Sequence, residues 1–201
     1  MDYISDIAFS ESVKKRQEEL GSRGVYQKMA ERRDWRQHLS PQVQEFIAQR
    51  DSFYMASVNA EGHPYMQHRG GPKGFLKVID EDTLAFADFS GNRQYISIGN
   101  VDDNPKVHLF LMDYPNRSRV KIWGRAEVLP PDHPLRSDLE DSAYQAHIER
   151  IIKITVTAWD INCPQHIQPR FTLEELEPHI ESLKARIKDL EQQVADCSPK
   201  E

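Results

Sequence analysis

Hydrophobic and polar positions along this 201-residue chain fall into three successive regimes. Residues 10–50 carry apolar side chains at helical spacing, on narrow faces. Ser10 or Ser12 is placed to cap a first helix holding Val13 and Leu20, with Gly21 as its stop. Residues 26–33 predict a second short helix, rich in charge. Ser40-Pro41 puts a capping residue and a proline at a helix start, ahead of Val43, Phe46 and Ile47 at helical spacing. Faces this narrow read as a cover over some other core.

From Phe53 the period changes. Residues 54–58 read as a strand, and Asn59-Ala60-Glu61-Gly62 as the turn behind it. Residues 63–68 lead up to a glycine-bearing turn. Residues 75–79 and 83–87 follow as strands around an acidic turn at Asp80-Glu81-Asp82. A short helix is expected from Arg93 to Gly99, with Asn104-Pro105 closing it. Residues 106–112 are a near-continuous apolar run, as a central strand requires. Residues 119–128 alternate basic and apolar side chains and break at Gly124, which predicts a bulge where the strand bends. That basic row faces either solvent or an anionic ligand.

Pro130-Pro131 ends the strand, residues 134–148 are expected to be helical, and residues 151–159 form a β-branched strand. Six or seven short strands with no long helix among them favour a closed antiparallel barrel over a parallel α/β sheet.

The C-terminal segment returns to a helical period. The helix starts either at a capping box formed by Thr172 and Glu175 or at Pro178, which would interrupt the first turn. Leu173, Leu176, Ile180, Leu183, Ile187, Leu190 and Val194 recur at steps of three and four. The division into β-branched and leucine positions favours a parallel two-stranded coil. Packing of the same stripe on the chain's own barrel is the alternative. The domain organisation expected is a helical cover at 1–50, a barrel domain at 51–168 and an amphipathic helix with a polar tail at 169–201.

Composition narrows the function classes. Hydrophobic residues at 38% and charged residues at 29% suit one core with exposed helices better than two full cores. A net charge of -6 argues against general nucleic-acid binding through a basic surface. The acidic start Met1-Asp2-Tyr3-Ile4-Ser5-Asp6 lacks the pattern of a signal peptide, and no apolar run approaches the roughly 18 residues of a membrane span. Cys163 and Cys197 are the only cysteines, and the second lies in a polar tail, which argues against a structural disulfide. The eight histidines are scattered, with no zinc spacing, so no metal site is expected. A cytoplasmic protein is the simplest expectation.

Candidate chemistry concentrates between Gln67 and Gln94. Gln67-His68-Arg69-Gly70-Gly71-Pro72-Lys73-Gly74-Phe75 and Asp88-Phe89-Ser90-Gly91-Asn92-Arg93-Gln94 each place an arginine in a glycine-bearing turn at a strand end. Glycine lets backbone N–H groups approach an anion, and arginine offers planar, bidentate donors suited to phosphate. The two turns either hold one phosphorylated ligand or are surface turns with solvated arginines.

Residues 53–159 resemble the FMN-binding split barrel of the pyridoxamine 5'-phosphate oxidase superfamily. The resemblance is carried by Ala56-Ser57-Val58-Asn59-Ala60-Glu61-Gly62-His63-Pro64, Arg69, Leu84-Ala85-Phe86-Ala87-Asp88-Phe89 and Asn92-Arg93-Gln94. Asn104-Pro105-Lys106-Val107 and the stretch 120–128 complete it. Ile161-Asn162-Cys163-Pro164-Gln165-His166-Ile167 is more similar to an uncharacterised flavin-nucleotide-binding branch than to the vitamin-forming enzyme.

The resemblance implies a mainly β fold with flanking helices, a Greek-key split barrel, and a homodimer with FMN in clefts between subunits. It sets Arg69 near the FMN phosphate and Arg93 in the turn that contacts the same phosphate. That turn reads Asn92-Arg93-Gln94 where the family has serine-arginine-lysine, so one positive charge is missing, for Lys73 or Lys77 to restore. Gln67, His68, Arg69, Gly70, Gly71, Lys73 and Phe75, with Ala87 and Asp88, are the strand residues expected near the flavin ring. Arg119 stands where the oxidase has a glutamine. Cys163, Gln165 and His166 lie over the cofactor of the other subunit, or in a loop entering the helix. His68 and His166 are either proton-handling or structural histidines.

The Gly70–Gly74 insertion departs from the oxidase pattern and puts the oxidase's own substrate in doubt. The function expected is therefore an FMN-dependent oxidoreductase acting on a small molecule, with NAD(P)H or oxygen as second partner. The alternative is a non-catalytic flavin- or haem-binding protein for storage or sensing.

Overall fold

In the computed structural model, which describes residues 2–161 and 164–197, alternating burial organises one antiparallel sheet. Its seven strands are β1 (Ser52–Val58), β2 (Pro64–Gly70), β3 (Lys77–Asp80), β4 (Thr83–Phe89), β5 (Lys106–Asp113), β6 (Ser118–Leu129) and β7 (Ile148–Ile161). They run in the order β2-β1-β5-β6-β7-β4-β3. β5 buries Val107, Leu109 and Leu111 on one face and leaves His108 and Phe110 half-buried on the other. β4 is buried on both faces. Its Leu84 and Phe86 enter the main core, while Ala85 and Ala87 pack on a second cluster with Leu139, Ile148 and Ile151.

The sheet rolls up on itself. Phe53 on β1 stacks on Phe75, with centroids 5.5 Å apart, and meets Phe86 of β4 edge-on at 5.3 Å. β1 and β4 are separated by β5, β6 and β7 in the strand order, so these contacts cross the interior of a split barrel. β6 bends where its register against β7 shifts, between Trp123 and Gly124. A Cβ at Gly124 would fall 2.6 Å from the Ile154 Cγ2 atom and 2.8 Å from the Thr155 carbonyl oxygen, so the bulge needs glycine.

The N-terminal helices are α1 (Glu11–Glu19), α2 (Arg23–Arg33) and α3 (Pro41–Ala48). Ser10 caps α1, its hydroxyl accepting the Val13 N–H at 3.4 Å. α3 forms part of the barrel's wall, with Val43 and Ile47 inside the main core beside Leu39. The Trp159 indole N–H donates to the His38 carbonyl at 2.9 Å, and Trp35 stacks on Trp123 at 4.7 Å.

Two expected boundaries are corrected. The helix expected over 93–99 is α4 (Ile96–Asp103), because Arg93 and Tyr95 hold positive φ angles of 58° and 55° that an α-helix does not admit. The helix expected over 134–148 shrinks to α5 (Arg136–Leu139). Residues 140–147 offer no apolar repeat to anchor a helix, and Ile148 is taken by pairing with Phe89 across the sheet. Of the two starts open for the C-terminal helix α6 (Leu173–Cys197), the structure takes the capping box ahead of Pro178. Its end groups are satisfied by the capping box: Glu175 accepts the Thr172 N–H at 2.8 Å, and the Thr172 hydroxyl accepts the Glu175 N–H at 3.2 Å. Among the described residues, no helix is long and apolar enough to cross a membrane.

Candidate functional site: an arginine-rich pocket at the split in the barrel

Side-chain parity builds this site. On β4, Asp88 follows Leu84 and Phe86 on the face turned to the main core, one step beyond the apolar layer. On β7, Arg150 shares the parity of Ile152 and Ile154 and lies directly opposite Asp88 in the register. On β2, the edge strand at the other end of the sheet, Tyr65, Gln67 and Arg69 project to the same space.

The charges interlock. Arg69 Nη1 donates to Asp88 Oδ1, and Arg150 Nη1 donates to Asp88 Oδ2 at 3.2 Å. Arg150 Nη2 donates to Glu149 Oε2 at 2.6 Å, and Arg93 Nε stands 3.8 Å from Glu149 Oε1. The Arg69 guanidinium also lies over the Phe86 ring at 5.6 Å, and that of Arg150 over the Tyr95 ring at 4.9 Å. Three guanidinium groups face two carboxylates, which leaves one surplus positive charge. Arg69 Nε is buried with no hydrogen-bond partner among the described residues.

These groups line a cavity of about 230 Å³ with Asn92, Gln94 and Ser97. The Asn92 side chain accepts the Gln94 N–H at 3.2 Å and shapes the turn that exposes Arg93, whose side chain is 72% accessible. Ser97, in the first turn of α4, donates its hydroxyl to Gln67 Oε1 at 2.7 Å. The positive φ angles at Arg93 and Tyr95 bring this loop and the start of α4 around to face β2.

Of the residues expected in the site, Gln67, Arg69, Asp88, Asn92, Arg93 and Gln94 converge here. The others lie elsewhere in the chain. His68 has the opposite parity on β2, is exposed, and meets the Tyr54 ring edge-on at 5.6 Å. Gly70 and Gly71 turn back on the junction between α3 and β1, where the Gly71 N–H donates to the Asp51 carbonyl at 3.0 Å. Gly74, at φ 77°, donates to the Arg50 carbonyl at 2.8 Å and packs so closely that a Cβ would sit 2.9 Å from the Ala48 oxygen.

Lys73 lines a separate cleft of about 870 Å³ with Arg50, Tyr114 and Arg170. Phe75 and Ala87 belong to the two apolar clusters. Arg119 lies over Phe110 at 5.7 Å, its Nε buried without a partner among the described residues. Gln165 and His166 are exposed in a turn, and Cys163 falls outside the described residues. Neither Lys73 nor Lys77 reaches the pocket.

Sequence reasoning missed Arg150 and Glu149. A signal was present: period two carried back from Ile154 and Ile152 sets Arg150 on the core face, where an unpaired charge is not tolerated. No group of three or more histidine, cysteine, aspartate or glutamate side chains suited to a metal occurs among the described residues.

A split barrel with a surplus-positive, anion-sized pocket between its separated edges defines the class of this protein. The family model described as pyridoxamine 5'-phosphate oxidase matches residues 39–176, and the chain belongs to that family. Among curated proteins, no sequence relative matches. Several solved structures are similar to this chain. HupZ from Group A Streptococcus is 15% identical over 66% of this chain and 99% of its own, with a TM-score of 0.50. A putative pyridoxamine 5'-phosphate oxidase from Lactobacillus delbrueckii is 20% identical over 62% of this chain and 95% of its own, at 0.48. An FMN-binding protein from Syntrophomonas wolfei is 15% identical over 76% and 96%, at 0.47.

Proposed function

We propose that this protein binds FMN by its phosphate in the pocket between β2 and β4, and acts as an FMN-dependent oxidoreductase on a small molecule. The observation that carries the reading is Arg69 Nε, a buried donor without a partner among the described residues, in the lining of a pocket with surplus positive charge. An anion satisfies both deficits at once. The family to which the chain belongs supports the redox half of the reading.

The residues present fit a phosphate. Arg69 and Arg150 are pre-oriented by Asp88, and Arg93 is held only loosely by Glu149. The cavity of about 230 Å³ is smaller than the roughly 300–1,000 Å³ of whole-ligand sites. It suits the phosphate end, and the ring extends to the open side, where a second copy of the chain supplies the facing wall in a homodimer. FMN supplies the electron or hydride transfer when bound, and the chain's part is to fix the phosphate and exclude water from the clamp.

Titration of the flavin-free protein with FMN and with riboflavin, followed by flavin fluorescence, tests this. FMN is expected to bind far more tightly than riboflavin. Arg93→Ala and Arg150→Gln are each expected to weaken FMN by about 1.5–3 kcal/mol and leave riboflavin unchanged. Equal affinity for the two flavins overturns the phosphate assignment. Steady oxidation of NADPH or NADH by the loaded protein supports catalysis, and a loaded protein inert to both reductants and to oxygen is a non-catalytic carrier.

A further inference from the structure

We propose that α6 pairs with α6 of a second copy of this chain in a parallel, in-register, two-stranded coiled coil. The 25-residue helix spans more than three heptads. Ile180, Ile187 and Val194 recur at one heptad position, preceded there by Leu173, and Leu176, Leu183 and Leu190 at the other. This seam is two positions in seven wide, whereas a helix lying on a sheet presents an apolar face about 100° wide or more. The seam also lies open in the single chain. Ile180, Leu183, Ile187 and Leu190 are 39%, 51%, 55% and 43% exposed, while Val43 and Ile47 of α3, a helix that does pack on the barrel, are 1% and 0% exposed.

The seam's chemistry selects its occupant. β-Branched residues at the first position with leucine at the second favour two parallel strands. Arg186 and Glu191 sit on opposite flanks of the seam. In a parallel pair, Arg186 of one helix faces Glu191 of the partner subunit, and the two-fold axis repeats the pairing. Pro178 falls at the heptad position farthest from the seam, so its ring does not meet the second helix. Apart from Pro178 and the small Ala185, the outward positions, among them Glu181, Ser182, Lys188 and Asp189, are polar, which leaves no second apolar face for another element.

Engineered cysteines in the full chain test the arrangement, with Cys163 and Cys197 replaced by serine. Leu183→Cys sits in the seam, and Ser182→Cys beside it points outward. Both proteins are oxidised in air at low concentration and run on a non-reducing denaturing gel, after circular dichroism shows the fold unchanged. The expected result is a band of doubled mass for Leu183→Cys and a single-chain band for Ser182→Cys. A coil with a foreign partner or dimerisation through the barrel alone leaves Leu183→Cys at single-chain mass and overturns the proposal. An antiparallel coil overturns it too, and shows as a Leu176→Cys variant that stays at single-chain mass, because Leu176 lies near one end of the seam and meets its own copy only in a parallel pair. Equal cross-linking of Leu183→Cys and Ser182→Cys overturns it as well.

Discussion

Arg69 and Asp88 form an ion pair across the split in the barrel, joining edge strand β2 to β4 at the far end of the sheet. Both side chains are nearly buried, at 11% and 7% accessible, and Asp88 holds Arg150 with its second oxygen. One carboxylate therefore sets two of the pocket's three arginines. Removing one partner of a buried pair strands the other charge, at a cost of about 3 kcal/mol or more. Asp88→Asn is expected to lower unfolding stability by that order in urea titrations. Its pocket then carries a surplus of two positive charges, so inorganic phosphate should raise its melting temperature more than that of the wild type. A variant as stable as the parent, and indifferent to phosphate, would show that the pair does not hold the split together.

Gln94 lines the same pocket from the 92–94 turn, at a position where a lysine would add a cation. Gln94→Lys should tighten FMN binding by roughly tenfold, or about 1.4 kcal/mol, and leave riboflavin unaffected. Fluorescence titration at fixed ionic strength reads the difference, and a gain for both flavins would place the new charge somewhere other than at the phosphate.

The bulge at Gly124 has no room for a side chain. Its Cβ position is fixed between the Ile154 methyl and the backbone of β7, so Gly124→Ala forces the two longest strands apart. Overpacking of this kind costs about 1–3 kcal/mol. A urea midpoint unchanged by Gly124→Ala would contradict the bulge geometry.

His108 is neutral well below the usual range. Burial, with a smaller contribution from the nearby Lys121 cation, pulls its pKa from 6.5 to about 4. Its ring lies 4.6 Å from that of Trp123. With a depressed native pKa, the unfolded chain binds the extra proton first, so stability falls with pH from 6.5 down to about 4 and levels off below that. His108→Phe should flatten part of that decline in melting temperature without altering it above pH 6.5. Parallel pH profiles for the two proteins would mean that His108 takes its proton in the folded state.

The sequence by itself determined the local elements and most of the chemistry. Apolar and β-branched runs marked β1, β4, β5 and β7, the Gly124 break marked the bulge, and the two arginine-bearing turns marked Gln67, Arg69, Asp88, Asn92, Arg93 and Gln94 among the residues that reach the pocket. These features follow from side-chain size and spacing within a few residues of each other. Only the tertiary structure decided which side chains meet. Asp88 and Arg150 are 62 residues apart and adjacent through strand pairing, while Arg69 reaches them only because the sheet rolls its ends together. The Gly70–Gly74 segment reads as a ligand turn from its glycines. Backbone contacts to Arg50, Asp51 and Ala48 spend those glycines on packing the chain against α3 instead. Local sequence cannot distinguish glycine that admits a ligand from glycine that admits a neighbouring backbone, because both demand the same missing side chain.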